Sequence, residues 1–273
     1  MQRTGATTTA GKSESLLKKM KNNKSLGQHW LNNREILDYI ADEASASESP
    51  AEQGKKPLCV EIGPGLGTLT SSLLKRFEKV IAVEFDDRLA ANLPGSFPGT
   101  NLEVVNTDFL KYDLESVPAP YIIAGNIPYY ITSPIIEHIL MAKNQPERAV
   151  LLMQKEVAER IVDEKETVLS LKCKNRAKVK LGAVVGREEF TPPPKVDSQV
   201  LILEPHAPEV DEAVFKIIAL AFSSPRKKLL HNLLPLKSKN ELIEIFSKEG
   251  ISRDARPADL HLKDYERLFK SML

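Results

Sequence analysis

A short apolar run at residues 58–62 leads straight into Glu61-Ile-Gly63-Pro-Gly65-Leu-Gly67, and a helix-length segment comes next at 66–77. A strand that passes through glycines into a helix is where a doubly wound α/β sheet presents backbone N–H groups and a crevice to a nucleotide. Glycine lets the chain turn tightly and lets a ligand approach with no Cβ in the way. The spacing departs from the dinucleotide fingerprint, because the glycines alternate and Thr68 stands where that fingerprint needs Gly or Ala. The departure favours a nucleoside without a pyrophosphate. A purely structural turn would use the same glycines, so the run takes its meaning from the strands that come after it.

Downstream, β-branched runs alternate with helical segments, the pattern of a parallel α/β sheet. Strands are expected at 79–83, 102–106, 121–124 and 149–153, and helices at 89–93, 134–141 and 154–162. Further strands fit 177–185 and 198–204. Beyond Pro205 the pattern is only helical, at 211–222, 225–233, 239–248 and 262–272. Ahead of the glycines, Ile36, Leu37, Tyr39 and Ile40 suit an amphipathic helix that gives way to a Ser/Ala/Glu-rich loop over 44–56. A chain of 273 residues, 42% of them hydrophobic, has room for one full core and a smaller second unit. The expected division is a flexible basic tail at 1–24, a catalytic domain at 25–205 and a helical domain at 206–273.

The ends of the next strands carry carboxylates. Glu84, beside Phe85, closes the second strand about twenty residues after the glycines, where it can accept two hydrogen bonds from ribose hydroxyls. Asp108-Phe109 closes the third: an acceptor for an adenine amine and an aromatic to pack on the base. Either acid alone reads equally well as a turn cap or a solvated strand end. Together with Gly63 and Gly65 at one sheet edge they point to an adenosine-type cofactor.

The fourth strand ends in Asn126-Ile127-Pro128-Tyr129. The exocyclic nitrogen of adenine is a poor nucleophile because its lone pair is delocalised into the ring. Two acceptors aimed at its hydrogens, the Asn126 side-chain oxygen and a carbonyl beside Pro128, would pyramidalise the amine and aim its lone pair at an incoming methyl group. Tyr129 would stack on the base, and Pro128 would stiffen the loop. An ordinary strand-to-loop turn also accommodates these residue types, and an Asp at 126 would accept the same bonds. No general base is needed, since the methylated amine is acidic and loses its proton to water. A target adenine in a hairpin would have to leave its stack to arrive here.

Composition bounds the partners. The formal charge is only +1, which excludes a uniformly basic nucleic-acid binder, but three local runs stand out. They are Lys18, Lys19, Lys21 and Lys24; Lys172, Lys174, Arg176, Lys178 and Lys180; and Arg226, Lys227 and Lys228. Each is an RNA-contact candidate or a solvated face. Cys59 and Cys173 lack disulfide or zinc spacing, no metal ligand set is evident, and no apolar run is long enough to span a membrane. A cytoplasmic protein is expected, with a transit peptide the competing reading of the Ser/Thr-rich start.

Over residues from about 26 to the C-terminus the sequence resembles the small-subunit ribosomal RNA adenine N6,N6-dimethyltransferases of the KsgA type. The segments that carry the resemblance are Leu26-Gly-Gln28-His29-Trp-Leu31, the glycine run, Val83-Glu84-Phe-Asp86, Asn106-Thr-Asp108-Phe109, Gly125-Asn126-Ile-Pro-Tyr-Tyr130, Met153-Gln-Lys-Glu156, Phe190-Thr-Pro-Pro-Pro-Lys-Val-Asp-Ser198 and Ser224-Pro-Arg-Lys-Lys228. The resemblance implies a Rossmann-like S-adenosylmethionine-dependent methyltransferase domain with a small all-helical C-terminal domain that contacts RNA. It implies dimethylation of two adjacent adenosines near the 3′ end of small-subunit rRNA, on the immature small ribosomal subunit, by a monomer. It further implies cofactor contacts from Gln28, His29, Leu31, Gly63, Glu84, Asp108 and Asn126, and a second aromatic wall for the target base at Phe190, for which a core role is the alternative. The chain departs from that family at His29-Trp30, where Asn-Phe is more usual, in the strongly basic stretch 169–180, and in the insert around 45–54. Two rival functions stay open on the sequence alone: dimethylation of large-subunit rRNA, and a non-catalytic assembly or organellar transcription factor on the same fold.

Overall fold

The computed structural model describes residues 28–46 and 57–273. The expected tail at 1–24, its basic run and most of the insert at 45–54 lie outside the described residues. Asn33 starts the first helix: its side-chain oxygen accepts from the amides of Glu35 and Ile36, satisfying donors that have no partner inside a helix. That helix, α1 (Arg34–Ser45), follows a two-residue strand, β1 (Trp30–Leu31). Next come β2 (Leu58–Ile62), α2 (Thr70–Leu73), β3 (Lys79–Glu84), α3 (Asp87–Ser96), β4 (Leu102–Asn106), β5 (Tyr121–Asn126), α4 (Thr132–Met141), β6 (Arg148–Gln154), α5 (Lys155–Val162) and α6 (Val168–Arg176). β7 (Ala177–Val185), β8 (Phe190–Thr191) and β9 (Ser198–Pro205) complete the strands.

Strands apolar on both faces need cover on both faces. β2, β3, β5 and β6 are buried almost throughout. Ile123, Leu151 and Met153 pack with Ile135 and Ile139 of α4 on one side, and Ile122, Ala124 and Leu152 with Ile40 of α1 and Leu73 of α2 on the other. The sheet order is β4-β3-β2-β5-β6-β9-β7, parallel from β4 to β6, with β9 antiparallel to both β6 and β7. From β2 the chain moves outward to β3 and β4, then returns to the other side as β5. That reversal opens a crevice at the carboxyl ends of β2 and β5, the usual ligand position in such sheets. β1 and β8 pair apart from the sheet, joining Trp30 to Thr191 and Leu31 to Phe190.

After Pro205 the chain is helical: α7 (Val214–Ala221), α8 (Leu229–Leu233), α9 (Lys239–Glu249) and α10 (Leu262–Met272). Their own core holds Ile218, Leu229, Phe246, Tyr265 and Leu268, and Leu171 of α6 inserts into it. Polar groups fasten the same junction. The buried Glu166 carboxylate meets Ser170 Oγ at 2.6 Å, Lys174 Nζ at 2.8 Å and His261 Nδ1 at 3.0 Å, and the Glu166 amide donates to the Ala258 carbonyl.

Two local expectations change. The helix expected over 66–77 is regular only at Thr70–Leu73, because Gly65 and Gly67 adopt positive φ and the flanking turns mix i−3 with i−4 bonds. The basic stretch 169–180 divides between α6 and β7. α6 begins at a reciprocal capping box between Thr167 and Ser170, and Leu171 and Cys173 are fully buried beneath its lysines.

Candidate active site

The glycine turn builds the floor of the crevice. Gly63, Gly65 and Gly67 have φ of +62°, +58° and +80°. A Cβ on Gly63 would meet nothing within 4 Å, so this backbone faces open space, whereas one on Gly65 would come within 3.1 Å of Trp30 Nε1. Glu84 ties the neighbouring loops together: its Oε2 accepts from the Gly65 amide at 3.0 Å and its Oε1 from the Asp86 amide at 2.9 Å. Burial raises its carboxyl above the ordinary value, against the opposing pull of the Asp86 and Gly65 amides. The carboxylate retains acceptor capacity for a hydroxyl donor. Beneath it, Glu61 is fully buried and pushed up to about 8 by desolvation, with Thr70 Oγ1 donating to it at 2.6 Å and Glu84 adding like-charge repulsion.

Asp108 lines the same cavity while one of its oxygens caps the turn Phe109–Lys111 by accepting from the Leu110 amide. A nucleoside-sized ligand therefore meets an open glycine backbone, a ribose-height carboxylate and a second carboxylate one strand further along. These residues fit S-adenosylmethionine: Glu84 would take the ribose and Asp108 the adenine, with Gly63 and Gly65 leaving room for the rest of the cofactor. When bound, that cofactor supplies an electrophilic methyl group on a sulfonium centre.

The Asn126 turn closes the other end. Asn126 Nδ2 donates to the His29 carbonyl at 2.9 Å, which fixes the amide and leaves Oδ1 as its acceptor. An Asp here would set a carboxylate oxygen against that carbonyl with no hydrogen between them, so the structure supplies a reason for the amide that the residue types alone did not. The Pro128 carbonyl takes the Ile131 amide, and the Ile127 amide donates to the Leu152 carbonyl, which anchors the turn to β6. Tyr129 is held by two distant segments. Its hydroxyl is 2.6 Å from Ser198 Oγ, and the His29 ring stacks on it at 6.0 Å between centroids and 24° between planes. His29 Nδ1 in turn donates to the Pro192 carbonyl at 2.8 Å. The Pro-Pro-Pro-Lys-Val-Asp-Ser segment thus reaches the site through Pro192 and Ser198, and one face of Tyr129 is already taken.

Among the expected site residues, Gln28, His29, Gly63, Gly65, Glu84, Phe85, Asp108, Phe109, Asn126, Pro128 and Tyr129 line one cavity. Leu31 and Phe190 do not. They face each other across the β1–β8 pair at 1% and 2% exposure and pack into the core around α1. Phe190 is accordingly core in this structure, and the second aromatic wall is absent from its position. Trp30, Thr107 and Tyr130 also line the cavity. The sequence offered one cue for Trp30, the chain's sole tryptophan, set beside His29. The second basic run is engaged with acids: Lys172 with Glu137, Lys174 with Glu166, Arg176 with Glu212, and Lys178 and Lys180 with Glu204. In the third run Lys228 pairs with Asp254, while Arg226 and Lys227 have no ion pair among the described residues.

A parallel sheet that reverses at β2 and β5, with this cavity at the reversal, is the architecture of a Rossmann-like S-adenosylmethionine-dependent methyltransferase, and this chain is one. The chain belongs to the ribosomal RNA adenine dimethylase family, whose model matches residues 19–273. A ribosomal RNA small subunit methyltransferase A from Mycoplasma mycoides is 33% identical over 265 residues, covering 92% of this chain and 97% of its own. A protein of the same description from Dehalococcoides mccartyi is 35% identical over 262 residues, covering 91% and 88%. Among solved structures, a dimethyladenosine transferase from Plasmodium falciparum aligns with a TM-score of 0.70 at 28% identity, over 88% of this chain and 96% of its own. The 23S rRNA methyltransferase ErmE aligns with a TM-score of 0.69 at 28% identity, over 89% and 99%. Among the described residues no helix is long and apolar enough to cross a membrane.

Proposed function

We propose that this chain transfers methyl groups from S-adenosylmethionine to the N6 amines of two adjacent adenosines near the 3′ end of small-subunit rRNA, acting as a monomer on the immature small subunit in the cytoplasm. The observation that carries the reading is the Asn126 amide, oriented by the His29 carbonyl so that its oxygen is the acceptor available to an amine. Asn126 Oδ1 and the Ile127 carbonyl take the two hydrogens of the first amine and aim its lone pair at the methyl carbon; the open face of Tyr129 holds the ring. Gln28, His29, Gly63, Gly65, Glu84, Phe85, Asp108 and Phe109 hold the cofactor. Leu31 supports the site from the core.

The fold does not distinguish the two ribosomal subunits, since ErmE acts on 23S rRNA and aligns as well as the dimethyladenosine transferase. The small-subunit descriptions of the sequence relatives favour that target. For RNA contact, Arg226 and Lys227 are preferred over Lys172, Lys174, Arg176 and Lys228, whose charges are already matched by acids. Primer extension on both rRNAs after incubation with the cofactor tests the target: stops near the 3′ end of small-subunit rRNA are expected, and stops confined to large-subunit rRNA would overturn the reading.

A further inference from the structure

Among the described residues two aromatic rings stand largely in solvent, Phe85 at 59% exposure and Tyr130 at 61%. Both border the cavity. Phe85 follows Glu84 and belongs to the cofactor end. Tyr130 lies at the other end, on the loop that carries Asn126 and Tyr129, and makes no hydrogen bond or ring contact of its own. Tyr129–Ile131 is a 3-10 turn, in which successive side chains diverge by about 120°. With Tyr129 turned inward to Ser198 and His29, the ring of Tyr130 is directed to the rim, so the two tyrosines cannot grip the same base.

We propose that Tyr130 is a stacking platform for the nucleotide next to the target adenosine, an inference that rests on the RNA reading above. A base that leaves its stack to reach Asn126 strips its neighbour of a stacking face. A rigidly based ring at the mouth of the cavity replaces that face without reading base identity. Tyr130 thereby favours RNA in which a second unpaired base adjoins the target.

The test compares the wild-type chain with Tyr130→Ala and Tyr130→Phe on reconstituted small subunits whose rRNA is intact or carries an abasic residue on either side of the target. On intact RNA, Tyr130→Ala should lower kcat/KM about tenfold, the scale of one base–aromatic stack, and Tyr130→Phe should retain it. With the stacked neighbour made abasic, the wild type should fall by a similar factor and Tyr130→Ala no further. If Tyr130→Ala loses the same factor on all three RNAs, or Tyr130→Phe fails like Ala, the ring has a structural role and the proposal is wrong. Failure of the wild type to methylate the intact particle would instead overturn the RNA reading itself.

Discussion

Asn126 donates to the His29 carbonyl and, on the proposed reading, accepts from the target amine, and its replacements separate the two. Asn126→Ala removes the oriented acceptor and should cut methyl transfer at least about a hundredfold with RNA affinity nearly kept, measured by single turnover and filter binding. Asn126→Asp should lose nearly as much, because its carboxylate opposes the His29 carbonyl; a nearly active Asp variant would show that this contact does not orient the amide. Glu84 predicts the cofactor's pH response. Burial raises its carboxyl, and on the proposed reading it accepts from two ribose hydroxyls with both oxygens only when ionised, so affinity should fall on acidification at a higher pH than an ordinary glutamate would give. Glu84→Gln should bind the cofactor about 10- to 100-fold more weakly and without that pH dependence, as calorimetry would show. Glu61 acts on stability instead. Its folded value of about 8 lies above the ordinary 4.5, so between those pH values the folded chain holds the extra proton. Stability therefore falls as pH rises through that window and levels off above it. Urea melts should show a slope that Glu61→Gln flattens, since Gln still accepts from Thr70; an unchanged slope would mean Glu61 is ionised throughout. At this scale the sequence was legible where chemistry restricts residue type, as at Gly63, Glu84 and Asn126. It was illegible at Phe190, because an aromatic before a proline run suits a binding wall and a core equally, and only the Leu31–Phe190 register decides between them.

The seven strands of the main sheet were readable almost to the residue because β-branched runs end abruptly at Gly, Asp or Asn; β2, β4 and β7 fall where the pattern put them, whereas β1 and β8, two residues each, are too short to leave a pattern. The helices were less so. α6 hides behind lysines, and its buried residues divide between two cores, Cys173 in that of the sheet and Leu171 in that of the C-terminal helices. The glycine turn was recognisable, but not its cost to the helix after it. Gly67 shows how tightly that element is fitted: a Cβ would stand 2.6 Å from Phe97 Cε2 and 2.9 Å from Leu93 Cδ1 at a φ of +80°. Gly67→Ala should destabilise the fold by about 2–4 kcal/mol in urea melts, the sum of left-handed strain and overpacking. A loss under half of that would show that α3 yields readily.

Across the whole molecule, charge is arranged as matched pairs more than as one basic face. Lys172, Lys174 and Arg176 looked like a nucleic-acid surface in the sequence because their partners, Glu137, Glu166 and Glu212, are separated from them along the chain. Neutralising that trio should leave the salt dependence of RNA binding unchanged, whereas neutralising Arg226 and Lys227 should reduce the log–log slope by about 1–2. The reverse result would restore α6 as the RNA face. The sheet that bears the cavity and the helical unit are fastened through Leu171 and Glu166, and on the proposed reading the chemistry falls to the Asn126 loop. The most direct test of that account is incubation of the chain with methyl-labelled S-adenosylmethionine and immature small subunits, followed by nucleoside analysis. It predicts label in N6,N6-dimethyladenosine from the 3′ region of small-subunit rRNA. Label confined to nucleosides other than N6-methylated adenosines, or none with cofactor bound, would contradict it.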